Sequence, residues 1–197
     1  MDRFRNTRQP DWDWWGRLWP APGETLRLLG IDSSESIAEV CSGNGYFALP
    51  AARIVAPAPV YAIDVDPEHL TELEAIAELQ ELDTLLSIEG NVRELSELLP
   101  EPVDAALIAN TLHGVDDHGA LIEEVVDALW EGGKLVIVNW MDRPREETTI
   151  DGEPRGPPTE LRMSSQETIE VVTEAADLAL ARRIELPPYH YGLTFQQ

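Results

Sequence analysis

The sequence predicts an α/β domain with a mostly parallel sheet and helices on both of its faces. Two observations carry this. Short apolar runs alternate with longer helical patterns through the middle of the chain, and two strand-like runs joined by Pro187-Pro188 close it. Strict alternation makes consecutive strands parallel through right-handed crossovers, whereas a short link between two strands can only pair them antiparallel. The expected sheet is seven-stranded, five parallel strands plus a C-terminal antiparallel hairpin.

The parallel strands are read at Ser36–Val40, Val60–Asp64, Leu85–Glu89, Asp104–Ala109 and Lys134–Trp140, with helical patterns at Tyr46–Ala56, Pro67–Leu82, Arg93–Leu99 and Asp117–Trp130. Asp66-Pro67 supplies a cap followed by proline at the first helical position, and Asp116 or Asp117 can cap the fourth helix. Glu131-Gly132-Gly133 ends that helix with the glycines a C-terminal turn prefers. Residues 141–163 form a long connection carrying Pro144, Pro154, Pro157 and Pro158, a length that is usually functional or mobile. A helix over Ser165–Asp177 follows, capped by Ser164 with Glu167 completing a capping box. The closing hairpin pairs Ala181–Leu186 with Tyr191–Gln196.

A chain of 197 residues, 43% hydrophobic, suits one domain and excludes global disorder. No apolar run reaches the length of a membrane span, and Met1–Arg5 lacks the apolar core of a signal peptide, so a cytoplasmic location without membrane contact is expected. The single cysteine, Cys41, excludes an internal disulfide and an all-cysteine metal cage. Asp plus Glu number 37 against 14 Lys plus Arg, a net charge of −23, and Lys134 is the sole lysine. The acids are spread along the whole chain, which points to adaptation to molar salt rather than to an acidic interaction tail. Such a charge also opposes binding to nucleic acid.

The strongest local signal is Glu39-Val40-Cys41-Ser42-Gly43-Asn44-Gly45: a buried strand ends in an acid, and a tight glycine turn opens a helix. Glycine there permits positive φ and close approach of a ligand to the backbone. Asp64 ends the second strand about 20 residues further on, the place from which an acid accepts both hydroxyls of a ribose. Glu89-Gly90-Asn91-Val92, Ala109-Asn110-Thr111-Leu112-His113 and Leu129-Trp130-Glu131-Gly132-Gly133 follow the next strands.

In this order, over roughly residues 36–140, these segments resemble the class I S-adenosylmethionine-dependent methyltransferases, of the small-molecule type akin to the ubiquinone and menaquinone enzymes. The resemblance implies a Rossmann-like sheet and S-adenosylmethionine as cofactor. It implies that Glu39, Cys41, Gly43 and Gly45 wrap the amino-acid end of the cofactor, with Cys41 where the family has its first glycine. Asp64 then binds the ribose, Val65 and Val92 pack on the adenine, Asn91 bonds its amino group, and Asn110 joins the cofactor from the fourth strand. The same loop also fits a nicotinamide-binding pattern through Gly43, Gly45 and Ala48, with Asp64 on the ribose. Against that oxidoreductase reading, Glu39 would press a carboxylate toward a diphosphate. A third reading is a cofactor-binding module without catalysis.

For the acceptor, His113 is the candidate general base, the alternative being a packing role. His69, on a charged helix, is expected to be exposed. His113, Asp116, Asp117 and His118 cluster in sequence, but the two acids read better as caps, so no metal is expected. Trp12, Trp14, Trp15 and Trp19, with Arg3, Arg5, Arg8 and Arg17, make residues 1–30 either a lid enclosing a flat or anionic acceptor or a helix stapled to the core. Trp14, Trp15, Trp140 and Arg155 are the expected acceptor contacts, with 141–163 as the acceptor-site loop of a single domain spanning 1–197. Its Arg143, Arg145, Arg155 and Arg162 either bind an anion or pair with Glu146, Glu147 and Glu160. The partner is a small molecule: nucleic-acid amino-methylating enzymes carry a Pro-Pro-aromatic motif where this chain reads Asn110-Thr111-Leu112-His113, and Pro187-Pro188-Tyr189 reads as a turn. The oligomeric state stays open, a homodimer included.

Overall fold

The computed structural model describes Phe4, Arg5 and residues 10–197. Helices α1 (Trp12–Leu18) and α2 (Pro22–Leu28) lead into β1 (Ile37–Val40). Alternation follows through α3 (Ala48–Val55), β2 (Val60–Asp64), α4 (Pro67–Leu79), β3 (Leu85–Glu89), α5 (Leu95–Leu98), β4 (Val103–Ala109), α6 (His118–Asp127) and β5 (Leu129–Trp140). A minimal hairpin, β6 (Thr149–Ile150) and β7 (Glu153–Pro154), precedes α7 (Ser165–Ala175), and β8 (Ala179–Leu186) and β9 (His190–Gln196) complete the chain's elements. The main sheet has seven strands in the order β3-β2-β1-β4-β5-β9-β8, with β9 antiparallel to both of its neighbours.

Period-two alternation divides the core between the two faces. Ile37, Ala62, Leu107 and Val136 point to one side, under Leu26 of α2, Leu49 of α3 and Leu73 of α4. Ala38, Ile63, Ile108 and Ile137 point to the other, under Leu95 of α5, Leu121 of α6 and Val172 of α7. Burial on both faces is why β1 and β2 are apolar apart from Glu39 and Asp64 toward their carboxyl ends. The helix starts follow their caps: Asp66 accepts from Glu68 N at 3.1 Å, Asp117 from Ala120 N at 3.0 Å, and Ser164 with Glu167 forms the reciprocal capping box. Each such cap contributes roughly 1 kcal/mol. Lys134 is held at the base of the sheet by both oxygens of Glu35, at 2.7 Å.

Two expectations are corrected. α6 stops at Asp127 rather than at Trp130, because Leu129 already pairs with Val103 as the start of β5. The next pairing sets Lys134 opposite Ala105, so the intervening residues bulge out of the ladder. Gly132, at φ 80°, serves that bulge and not a helix end. The long 141–163 connection is tied across itself: Thr148 is fully buried, and Arg162 donates to Pro157 O, Thr148 Oγ1 and Arg155 O.

Gly192 in β9 lies against α2's end, where an added Cβ would stand 2.5 Å from Leu29 Cδ2 and 3.1 Å from Leu186 Cδ1. Gly192→Ala is therefore expected to cost about 1–3 kcal/mol. A lower denaturant midpoint at unchanged slope reports this, and an unchanged midpoint refutes it.

Candidate functional site

The strand order reverses between β1 and β4, since β1 leads outward to β2 and β4 leads outward to β5 on the other side. The loops leaving these two strands diverge and open a crevice at their carboxyl ends, where open α/β sheets bind ligands. A cavity of about 260 Å³ occupies this place. Glu39, Cys41, Gly43, Asp64, Val65, Asn91, Val92, Asn110, His113, Trp14, Trp15, Trp140 and Arg155 all line it, so almost every expected site residue converges there.

Asp64 organises the β1–β2 side. Its Oδ2 accepts from Gly43 N at 2.8 Å and its Oδ1 from Asp66 N at 2.9 Å. Each carboxylate oxygen keeps a second lone-pair site for a ligand hydroxyl. Cys41 takes the left-handed conformation, φ 58°, that the family's glycine would adopt without strain. Burial, then Asp64 and Glu39, push its thiol pKa up, so it stays protonated. Gly45 is not on the cavity wall: at φ 88°, an added Cβ would come within 2.8 Å of Leu73 beneath the loop, so this glycine packs the loop down. Asn91 faces the cavity, but its Oδ1 also caps the following turn by accepting from Arg93 N at 3.1 Å.

Glu39 and Asn110 carry buried polar atoms without a hydrogen-bond partner beside the glycine loop. Glu39 is 3% exposed and its Oε2 has no hydrogen-bond partner. Its carboxyl is pushed well above the usual range by burial and then by Asp64, with a backbone contact to Ala48 pulling the other way. The Asn110 amide has neither its oxygen nor its nitrogen bonded, on a backbone at φ 57°. Both residues line the same cavity, one at the end of β1 and one just past β4.

On the β4–β5 side, His113 is 4% exposed with Nδ1 3.2 Å from Asn139 Oδ1. Asn139 Oδ1 also accepts from Trp140 N at 3.0 Å. A backbone N–H can only donate, so the shared atom is the amide oxygen, and His113 carries its proton on Nδ1 and its basic lone pair on Nε2. His190 is wedged between Trp19 and Trp140, with ring centroids 4.6 and 4.1 Å away. Burial, then Arg162 and His113, hold its pKa well below the usual range, so it is neutral.

The N-terminal tryptophans divide their work. Trp15 and Trp19, 4% and 3% exposed, are core residues, and Trp15 reaches the cavity from there. Trp12 bonds Asn44 Oδ1 at 3.0 Å, and Tyr46 donates to Trp19 O at 2.7 Å, fastening α1 to the glycine loop. The segment is thus both staple and wall. Arg3 and Arg8 lie outside the described residues. Arg5 and Arg17 are spent on Asp116 and Asp151, away from the cavity. Asp116 and Asp117 are likewise engaged, by Arg5 and by the α6 cap. His69 is a correction: it is half-buried and lines the cavity, with Nδ1 3.7 Å from Asp66 Oδ2. Its charged neighbours suggested exposure, but the i,i+3 relation to the capping Asp66 turns it inward. Arg145, one of the arginines read as binding an anion or pairing with an acid, also lines the cavity, as do Tyr46 and Thr111, which carried no distinguishing signal.

The model of the methyltransferase domain family matches residues 38–137. No curated protein matches the chain in sequence. Among solved structures, an S-adenosylmethionine-dependent methyltransferase from Aquifex aeolicus superposes with a TM-score of 0.78 at 22% identity over 92% of each chain. Magnesium protoporphyrin IX methyltransferase from Synechocystis, with S-adenosylmethionine bound, gives 0.67 at 13% identity over 94% of this chain and 90% of that one. The 4+2 cyclase SpnF gives 0.72 at 15% identity over 99% and 86%. These likenesses establish a shared fold; a cyclase among them shows that the fold does not dictate the reaction.

The raised pKa of Glu39 gives stability a pH dependence. A group raised on folding contributes fully below its unfolded value, near 4.5, and loses that contribution as pH rises toward the folded one. Relative to the parent, ligand-free Glu39→Gln should therefore gain stability between about pH 5 and pH 8. A difference in melting temperature that stays flat over that range would contradict the assignment.

Proposed function

Since this chain belongs to the methyltransferase domain family, we propose that it transfers the methyl group of S-adenosylmethionine to a small molecule held at the β4–β5 side of the cavity. One observation carries the reading. The orphaned Glu39 Oε2 and Asn110 amide face the same crevice as Asp64, whose oxygens keep lone pairs after fastening the loop. A sulfonium nucleoside with an amino-acid tail fits these groups in kind. Asp64 would take the ribose hydroxyls, Val65 and Val92 the faces of the adenine, and Asn91 its edge. Glu39 would take the tail's ammonium, and Asn110 and the Gly43 loop the rest of that tail. A diphosphate would give the buried Glu39 no cation and add to the negative charge that already opposes its ionisation, whereas an ammonium supplies the missing partner.

When bound, the cofactor supplies an electrophilic methyl group. The chain's own contribution is alignment and dryness. Trp14, Trp15 and Trp140 exclude water and hold an acceptor flat, so that much of the acceleration comes from orientation. His113, with Nε2 basic, is the residue placed to remove a proton from a hydroxyl or similar acceptor. The cavity volume of about 260 Å³ supports a small acceptor. The charge of −23 supports a working medium of molar salt.

Calorimetric titration with S-adenosylhomocysteine tests the cofactor. Binding is expected with NAD silent, to persist in molar salt, and to weaken by roughly 10- to 100-fold in Asp64→Ala. Binding of NAD alone would sink the reading, and affinity that collapses in molar salt would remove the salt-adapted part of it. Nitrogen NMR of the histidine side chains tests the base: the neutral His113 ring should carry its proton on Nδ1, leaving Nε2 as the acceptor nitrogen. The opposite tautomer removes it from that role.

A further inference from the structure

Beyond β4 the cavity wall carries positive charge that the protein itself does not neutralise. Arg145, Arg155 and Arg162 all come from the 141–163 connection. Among the described residues, ion pairs within 4.0 Å join Arg5 to Asp116, Arg17 to Asp151 and Lys134 to Glu35, and none involves these three. Glu146 and Asp142 act on Arg162 only through space. Such a gathering of unpaired guanidinium groups is unexpected in a chain with 37 acids and 14 cations.

Their hydrogen bonds fix their positions without cancelling their charge. Arg145 donates Nε to Gly156 O and Nη2 to Pro154 O, both at 3.1 Å. Arg162, 7% exposed, spends Nε and Nη2 on the loop and leaves Nη1 buried without a partner. Arg155 lies over Trp14, 5.2 Å from its ring centroid, and its buried Nε has no partner. The loop backbone rests on Trp140: Gly156 has φ 84°, and a Cβ there would stand 2.8 Å from the indole. Rigid guanidinium groups with spare donors, set beside aromatic faces, recognise planar anions well.

We propose that this wall binds an anionic group of the methyl acceptor, a carboxylate or phosphate carried beside a flat ring. Arg145 and Arg155 take the anion, Arg162 adds field from behind, and Trp14 and Trp140 take the ring. The inference rests on the methyl-transfer reading. The cofactor's own carboxylate is the other anion within reach of this chemistry. Glu39 ends β1 and Trp140 ends β5, with β4 between them. Two strand spacings, roughly 10 Å, therefore separate the tail's place from this wall. The family match also ends at residue 137, before the connection begins, so these arginines belong to a part of the chain that the shared family pattern does not cover.

The test uses the full chain saturated with S-adenosylhomocysteine, titrated at one fixed salt concentration with 4-hydroxybenzoate and phenyl phosphate against neutral 4-hydroxybenzamide and phenol. The anions should bind at least about tenfold more tightly. Arg155→Met should erase that preference, Arg155→Lys should retain part of it, and both should leave S-adenosylhomocysteine affinity within about twofold. Equal affinity for charged and neutral probes, or no binding of the anions, overturns the proposal. Loss of S-adenosylhomocysteine affinity in Arg155→Met, with binding of methylthioadenosine (which lacks the amino-acid tail) intact, reassigns the wall to the cofactor and also overturns it. A parent protein that fails to bind S-adenosylhomocysteine refutes the transfer reading itself.

Discussion

Asp64 holds the glycine loop and the start of α4 with one carboxylate, accepting from Gly43 N and from Asp66 N. This is the clasp on which the site depends. Without it the loop after β1 keeps its backbone tie to β2 through Ser42 N donating to Ile63 O at 3.0 Å, but Gly43 and the start of α4 are no longer joined through one side chain. The clasp also constrains its neighbours. Gly45 must tuck over Leu73, and Cys41 must accept a left-handed backbone, because the loop between them is fixed at Gly43. Tyr46 and Asn44 then reach up to α1, so the N-terminal helix is positioned through the same loop.

The arrangement is electrostatically costly by design. Glu39, Asp64 and Asp66 gather at the ends of two adjacent strands, and burial of Glu39 raises its pKa rather than being relieved by a cation. Across the crevice the situation is mirrored, with guanidinium groups that lack carboxylate partners. The acids and the arginines stand on opposite sides of β4 instead of neutralising one another. A cavity polarised in this way sets acids at one end and guanidinium groups at the other, charge that the chain leaves unpaired within itself.

Much of this was legible in the sequence wherever local chemistry determined the outcome. The strands showed because parallel strands are buried on both faces, and α4 and α7 began where their caps predicted. The cavity lining from Glu39 to Asn110 followed from the rule that the carboxyl ends of parallel strands meet at one crevice. What escaped was decided by distant partners. Gly132 and Gly133 look alike as a helix stop or a bulge until β4 is alongside. His69 looked exposed until Asp66 and Asp64 surrounded it. The arginines of 141–163 could as well have paired with Glu146, Glu147 or Glu160, and only the folded loop shows that they do not.

The position of β9 has a further consequence. It follows β8 in sequence but lies between β5 and β8 in the sheet, and it sets His190 directly opposite Trp140. The glycine loop and its β2 partners lie within residues 39–93, whereas Trp14, Trp140 and His190, packed around Trp15, come from across most of the chain. Loop-closure entropy grows with such separation, and contacts of this range form late and slowly. One cavity thus joins walls of unequal sequence separation. A substitution on the β5 side of the cavity therefore bears on long-range closure of the chain, whereas one in the glycine loop bears on contacts made close in sequence.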